Sequence, residues 1–196
     1  MIRSSIIENA YFSSSHDGDI EKVLKEIKSD INFAEMKQTH SSEVKIINNE
    51  GLYNSDGIET NTQGLPLVVR VADCIPILMK SENLISAIHA GWRGINNSIF
   101  EKSLKNHNFK SLKISIGPHA KECCYEVKQD LKLLFPLSTI ELNGRYYLNL
   151  RKRIKDFCIK ENIELEVFQQ CTICDDNYYS YRNTATSNRQ FGIIWQ

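Results

Sequence analysis

The side chains in this sequence best suited to chemistry lie in two short apolar runs. These are residues 70–79, which carry Arg70, Asp73 and Cys74, and residues 84–94, which carry His89 and Arg93. The polar tetrad Lys80-Ser81-Glu82-Asn83 separates them, a pattern that predicts a β-hairpin with a four-residue loop. Symmetric closure pairs Met79 with Leu84 and sets Cys74 directly opposite His89. Opposed residues share a face with Cβ atoms about 5 Å apart. A thiolate and an imidazole on one tetrahedral zinc have donor atoms roughly 3.6 Å apart, so such a hairpin can build half of a metal site. The bland alternatives are a buried Cys acting as a small hydrophobe and a His satisfied inside the core.

Positioning these residues requires a scaffold, and 196 residues fit one domain, 1–196, with a sizeable core. Lys plus Arg (24) balances Asp plus Glu (24), which argues against a general nucleic-acid or membrane-surface role. No apolar run approaches a membrane span, and residues 1–10 have no secretory core. A cytoplasmic, reducing setting is expected, with the six cysteines as thiols or metal ligands rather than disulfides.

Periodicity predicts a helix over 19–30, capped by Asp17 or Asp19, a strand over 44–47, a polar loop over 48–64 with three glycines, and a strand over 65–71. Beyond the hairpin, Gly91 and Gly94 supply a turn into a helix over 95–108. A strand over 112–116, a helix over 127–135 ending at Pro136, a basic amphipathic helix over 148–161 and a strand over 163–168 follow. This mixture is α/β (α+β) with a mixed sheet.

Five histidines are present. His107 falls at a predicted helix C-terminus, where a solvated or dipole-compensating role is expected, and His16 sits in a featureless loop. His40, just before a strand, and His119, after Gly117-Pro118, remain as third-ligand candidates. At this point the order of motifs becomes informative: Gln38-Thr39-His40, Ala72-Asp73-Cys74-Ile75-Pro76, His89-Ala90-Gly91-Trp92-Arg93-Gly94, Ile116-Gly117-Pro118, Cys124-Tyr125-Glu126-Val127, Cys171-Thr172 and Tyr179-Ser180-Tyr181-Arg182. From about residue 33 onward the chain resembles the YfiH/FAMIN-type family, first labelled a laccase-like multicopper polyphenol oxidoreductase and later described as purine nucleoside phosphorylase with adenosine deaminase activity. The resemblance implies zinc held by His40, Cys74 and His89, a YfiH-like single-domain layered α-β-β-α sandwich, and most often a monomer. It also places Gln38 and Cys124 near the substrate. The chain departs from the family in an abbreviated N-terminal segment, in His119, and in Arg182-Asn183 and Ser187-Asn188-Arg189. These changes bear on substrate choice more than on the metal.

Three protein ligands leave a tetrahedral position open, the pattern of a catalytic zinc, which can generate hydroxide at neutral pH suited to deamination. Phosphorolysis also requires a phosphate site, for which Arg93, Arg182 and Arg189 offer guanidinium forks. The helix starting near Ile95 could add N–H groups. Asp73 could orient a ligand or act as a base, although strand alternation would turn it from the Cys74 face; a salt bridge is the alternative for Asp73, and a surface or pairing role for Arg93. Cys123, Cys124, Cys171 and Cys174 could form a second zinc site, but adjacent cysteines are a poor knuckle; core packing or a pocket wall is expected instead.

Five histidines cannot furnish the several centres of a multicopper oxidase. The competing readings are a zinc hydrolase editing peptidoglycan precursors and a non-enzymatic protein with a structural zinc closed by a fourth ligand such as His119. The favoured expectation is zinc-dependent phosphorolysis of purine nucleosides with adenosine deamination at the same site, with nucleoside and phosphate as partners and no nucleic acid or membrane.

Overall fold

Alternation along the strands sends neighbouring residues to different cores and sorts the molecule into layers. The computed structural model describes residues 1–28 and 32–196. The chain begins with β1 (Ile2–Arg3), β2 (Ala10–Phe12), α1 (Ile20–Ile27), β3 (Ala34–Met36), β4 (Val44–Ile46), β5 (Gly51–Tyr53) and β6 (Gly57–Thr60). It continues through β7 (Leu67–Val71), β8 (Ile75–Ser81), β9 (Leu84–Ala90), α2 (Trp92–Asn96), α3 (Ile99–Ser103) and β10 (Lys113–Ile116). The remainder comprises β11 (Glu126–Val127), α4 (Gln129–Leu134), β12 (Thr139–Leu142), β13 (Arg145–Leu148), α5 (Lys152–Lys160), β14 (Glu164–Val167), α6 (Tyr181–Thr184) and β15 (Gln190–Ile194).

Two six-stranded mixed sheets, ordered β1-β2-β15-β7-β3-β5 and β14-β10-β8-β9-β6-β4, lie face to face; a small sheet, β11-β13-β12, is separate. Leu67, Val69 and Val71 of β7 meet Leu78, Ile85 and Ala87 of the hairpin in the core between the large sheets. Val68 points the other way and packs with Ile20, Val23 and Leu24 of α1. Ile75, Ile77 and Met79 of β8 pack outward with Ile95, Phe100 and Ile154 of α2, α3 and α5. The layers are therefore α-β-β-α, as expected. Asp19 caps α1 by accepting from the Lys22 N–H at 2.9 Å; residues 29–30 of the helix expected over 19–30 lie outside the described residues.

The hairpin differs from expectation in register. Ser81 pairs with Leu84 and Pro76 with His89, so the loop is only Glu82-Asn83 and Cys74 is not opposite His89. The ladder extends because Ser81 is buried and bonded to His107. A slip of two keeps every side chain on its face. Cys74, just beyond β8, still shares the inter-sheet side with His89, at a diagonal rather than a direct position.

Other corrections have local causes. The loop expected over 48–64 contains β5 and β6. Gly57 is a strand residue, because a Cβ there would meet Ile88 Cδ1 at 2.8 Å and Val44 Cγ2 at 2.9 Å. The helix expected over 95–108 is two short helices, α2 and α3, divided at Ser98, whose φ is 65°. Gly94 lies inside α2, and only Gly91 caps it. The helix expected from 127 starts at Gln129, since Val127 belongs to β11. The one expected from 148 starts at Lys152, after Leu148 has closed β13. The short β1, β2 and β3, and β15 near the C-terminus, were not foreseen.

Candidate metal centre and pocket

At one end of the sandwich the ligating atoms of His40, Cys74 and His89 all lie within 4.8 Å of one another. Cys74 Sγ stands 3.7 Å from His40 Nε2, and the two imidazole rings meet edge to face at 4.8 Å between centroids. His40 reaches this position from a loop residue with φ 61°, an uncommon conformation that the surroundings must hold. Gly91 leaves the room it needs: a Cβ there would lie 3.0 Å from both Cys74 Sγ and His40 Cδ2.

Asp56, fully buried, organises the cluster and was not singled out from sequence. Its Oδ1 accepts from the His40 N–H at 3.0 Å and from His89 Nδ1 at 2.7 Å. Its Oδ2 accepts from the Thr39 and Ser41 N–H groups and the Ser41 hydroxyl. A carboxylate on Nδ1 leaves His89 Nε2 as the nitrogen free to ligate. Burial would raise the Asp56 pKa, but the bonds from His89 and Ser41 hold it well below the usual carboxylate range. Burial would likewise raise the Cys74 thiol, but the His89 charge and hydrogen bonds from both histidines bring it down to about 6. His89, despite burial, is taken up to about 9 by Cys74 and Asp56. Both shifts favour the thiolate on Cys74 and the proton on His89, and a metal ion bound here would displace that proton.

The trio opens into a cavity of about 430 Å³ also lined by Arg70, Arg93, Arg182 and Arg189. The guanidinium groups of Arg93, Arg182 and Arg189 bring positive charge suited to an anion. Arg93 lies over the Trp92 ring at 4.8 Å. Arg182 lies over Tyr125 and donates to the Glu126 carbonyl at 2.9 Å. Arg189 Nη1 donates to the Thr186 and Asn188 carbonyls. Arg70, to which the sequence reading gave no site role, is paired with Glu35 through Nε at 2.6 Å. Gln38 lines the same cavity, but both ends of its amide are taken by the Arg70 backbone, so it ties the segment after β3 to β7. Cys124 does not line this cavity; it faces a neighbouring hollow of about 500 Å³ that shares Arg182.

Asp73 is not in a strand, so the alternation argument does not apply. It turns the chain between β7 and β8 with φ 89° and does line the cavity. Its Oδ1 accepts from the Thr172 hydroxyl at 2.7 Å and its Oδ2 from the Arg182 N–H at 2.6 Å. Its carboxylate therefore ties three chain segments together beside Cys74. The helix expected to offer N–H groups from Ile95 starts at Trp92 and spans five residues, too short for a strong macrodipole.

His119 is buried 1 % exposed, with Nδ1 donating to the Gly117 carbonyl at 2.7 Å. It is not part of the His40–Cys74–His89 group. His107 is not solvated, as expected from sequence, but buried between the Ser81 and Ser86 hydroxyls. Among the described residues no helix is long and apolar enough to cross a membrane.

Known proteins resemble this chain at two levels. Solved structures of YlmD from Geobacillus stearothermophilus and of the hypothetical protein YfiH from Bacillus licheniformis share the fold. Their TM-scores are 0.80 and 0.79 at 19% and 22% identity, covering 98% and 89% of this chain and 94% and 78% of theirs. In sequence, the chain is 32% identical over 163 residues to a protein of Aquifex aeolicus named purine nucleoside phosphorylase, covering 80% of this chain and 79% of that one. A Clostridium acetobutylicum protein, also named a purine nucleoside phosphorylase, is 32% identical over 178 residues, covering 81% of this chain and 75% of its own length. The family model described as multi-copper polyphenol oxidoreductase laccase matches residues 17–196, the span that contains every residue of the trio and its cavity, and the chain belongs to that family.

Proposed function

We propose that this chain is a zinc-dependent purine nucleoside phosphorylase that also deaminates adenosine in the same cavity. The observation that carries the reading is the convergence of His40, Cys74 and His89 with Arg93, Arg182 and Arg189 on one hollow, in a chain whose relatives are named purine nucleoside phosphorylase.

One sulfur and two imidazoles are zinc donors, and the 3.7 Å separation of Cys74 Sγ from His40 Nε2 fits the roughly 3.6 Å that a shared tetrahedral ion requires. A zinc ion held there supplies Lewis-acid polarisation. In phosphorolysis a phosphate oxygen bonds to the ribose anomeric carbon as the bond to the purine nitrogen breaks, and the bonding pair leaves with the base. Arg93, Arg182 and Arg189 hold the phosphate dianion. Trp92, Tyr125 and Tyr181 on the cavity wall offer apolar faces for the base. Asp73, with both carboxylate oxygens engaged, acts as a positioning residue that fixes Cys74 and the Arg182 backbone, rather than as a free base. The donors in the trio number three, fewer than the laccase description of the family calls for, so the reading is built on one ion.

Purified protein is incubated with adenosine or inosine, with and without phosphate. Ribose 1-phosphate formed only when phosphate is present supports phosphorolysis, and inosine formed from adenosine supports deamination. Turnover of a muropeptide precursor with inert nucleosides overturns the proposal in favour of a cell-wall hydrolase. A Cys74→Ala variant that binds as much metal as the parent and keeps its activity overturns the assignment of the centre.

A further inference from the structure

A second group of soft ligands lies outside the trio. The sulfurs of Cys123, Cys124, Cys171 and Cys174 all fall within 4.8 Å of one another, and all are free thiols. Core packing does not account for them, since Cys123 and Cys174 are exposed. We propose that these four cysteines form a structural zinc site that clamps the 121–125 turn to the 171–175 turn.

Four thiolates at tetrahedral corners around zinc, with bonds near 2.3 Å, stand about 3.8 Å apart. The observed cluster needs only small side-chain adjustments to reach that spacing. It is too small to surround a cluster of several irons, whose thiolates sit on different metal atoms, so a single ion fits. Adjacent Cys123 and Cys124 looked unpromising in sequence because they are not spaced as a knuckle. The chain solves the problem by a tight turn, in which the Cys124 and Tyr125 N–H groups both donate to the Lys121 carbonyl. Across from it, Cys171-Thr172-Ile173-Cys174 is spaced as a metal knuckle and is closed by the Asp175 N–H on the Cys171 carbonyl. The Lys121 N–H donates to Cys171 Sγ at 3.4 Å, and the Ile173 and Cys174 N–H groups lie near enough to that sulfur to favour its thiolate. Several backbone donors on one sulfur are the environment of a thiolate ligand. Loading exchanges the thiol protons, released to buffer, for four metal–sulfur bonds. The resulting excess of negative charge faces Lys121, which lies close enough to feel Cys123 and Cys171.

The clamp has a consequence for the cavity. The Ala120 N–H donates to the Asp73 carbonyl, and the Thr172 hydroxyl to the Asp73 carboxylate. Asp73, the residue preceding Cys74, is therefore gripped by the residue leading into the first turn and by a residue within the second. The proposal does not depend on which reaction the cavity performs.

The test uses the full chain carrying Cys74→Ala, which disables the other centre, purified under reducing conditions with zinc supplied. The expected content is about one zinc per chain, with an X-ray absorption shell of four sulfurs near 2.3 Å. Adding Cys171→Ser and Cys174→Ser lowers the content to under about a tenth. In the unaltered protein, which avoids any folding defect, Cys123 and Cys174 should resist a thiol reagent until a chelator removes zinc. Zinc absent from the Cys74→Ala protein, a shell of nitrogen or oxygen, immediate labelling of both exposed cysteines, or a disulfide within the group overturns the site. None of these readouts involves nucleoside turnover, so failure here and failure of the proposed activity remain distinguishable.

Discussion

Replacing Asp56 by Asn probes the trio at the residue that arranges it. The change keeps the shape but converts one oxygen to an NH₂, and the two possible placements fail differently. With the NH₂ at the Oδ2 position, the Thr39 and Ser41 N–H groups, now 3.2 and 2.7 Å from an acceptor, both face a donor; the Ser41 hydroxyl can rotate and accept. With the NH₂ at the Oδ1 position, the His40 N–H loses its acceptor, and His89 must accept at Nδ1. That moves its proton to Nε2, the nitrogen needed for ligation. An unsatisfied buried donor costs about 1–3 kcal/mol, so the two donors of the first placement lose about 2–6 kcal/mol at most. The second loses less stability but disables a ligand. The expected result is a fall in unfolding free energy of about 2–4 kcal/mol and a 10- to 100-fold loss of zinc affinity, as for other outer-shell carboxylates (about that range). Urea denaturation reads the first and chelator competition the second. An unchanged urea midpoint together with zinc affinity within about twofold of the parent would refute the reasoning, because charged, correctly oriented acceptance by Asp56 would then be dispensable.

Three further outcomes follow from other sites. Gly91→Ala puts a methyl 3.0 Å from both Cys74 Sγ and His40 Cδ2; zinc affinity should drop about tenfold while the urea midpoint moves by less than about 1 kcal/mol in equivalent stability, and unchanged affinity would mean the ligands reseat freely. Burial depresses His107 from 6.5 to about 4. The unfolded chain therefore takes up this proton first as pH falls, and the stability contributed by the neutral ring, complete above pH 6.5, is lost on acidification. About 2 kcal/mol should disappear between pH 6.5 and 4.5 from this residue, and a His107→Gln variant with an equally steep decline would exclude it as the cause. Gly117→Ala drives a Cβ to 2.3 Å from the Phe12 ring, which is itself buried. A loss of about 3 kcal/mol is expected by thermal or urea melts, and a neutral effect would show that Phe12 has room to move.

The sequence already contained the layered α/β class, the hairpin and the identities of His40, Cys74 and His89, because alternation and motif strings are local properties. It misread register by two residues, since that depends on Ser81 finding His107 across the fold. Gly57 was misread as a loop signal because its reason for being glycine, the approach of Ile88 and Val44, is tertiary. Asp56, in the polar stretch taken for a loop, gave no local sign of its role: its five bonds reach Thr39, His40, Ser41 and His89. The same holds for the cysteines. Composition gave their number, and one knuckle-spaced pair was visible. Only folding could bring residues 123–124 beside 171–174, for convergence in space of donors distant along the chain is set by the packing of sheets and turns, to which sequence spacing is blind.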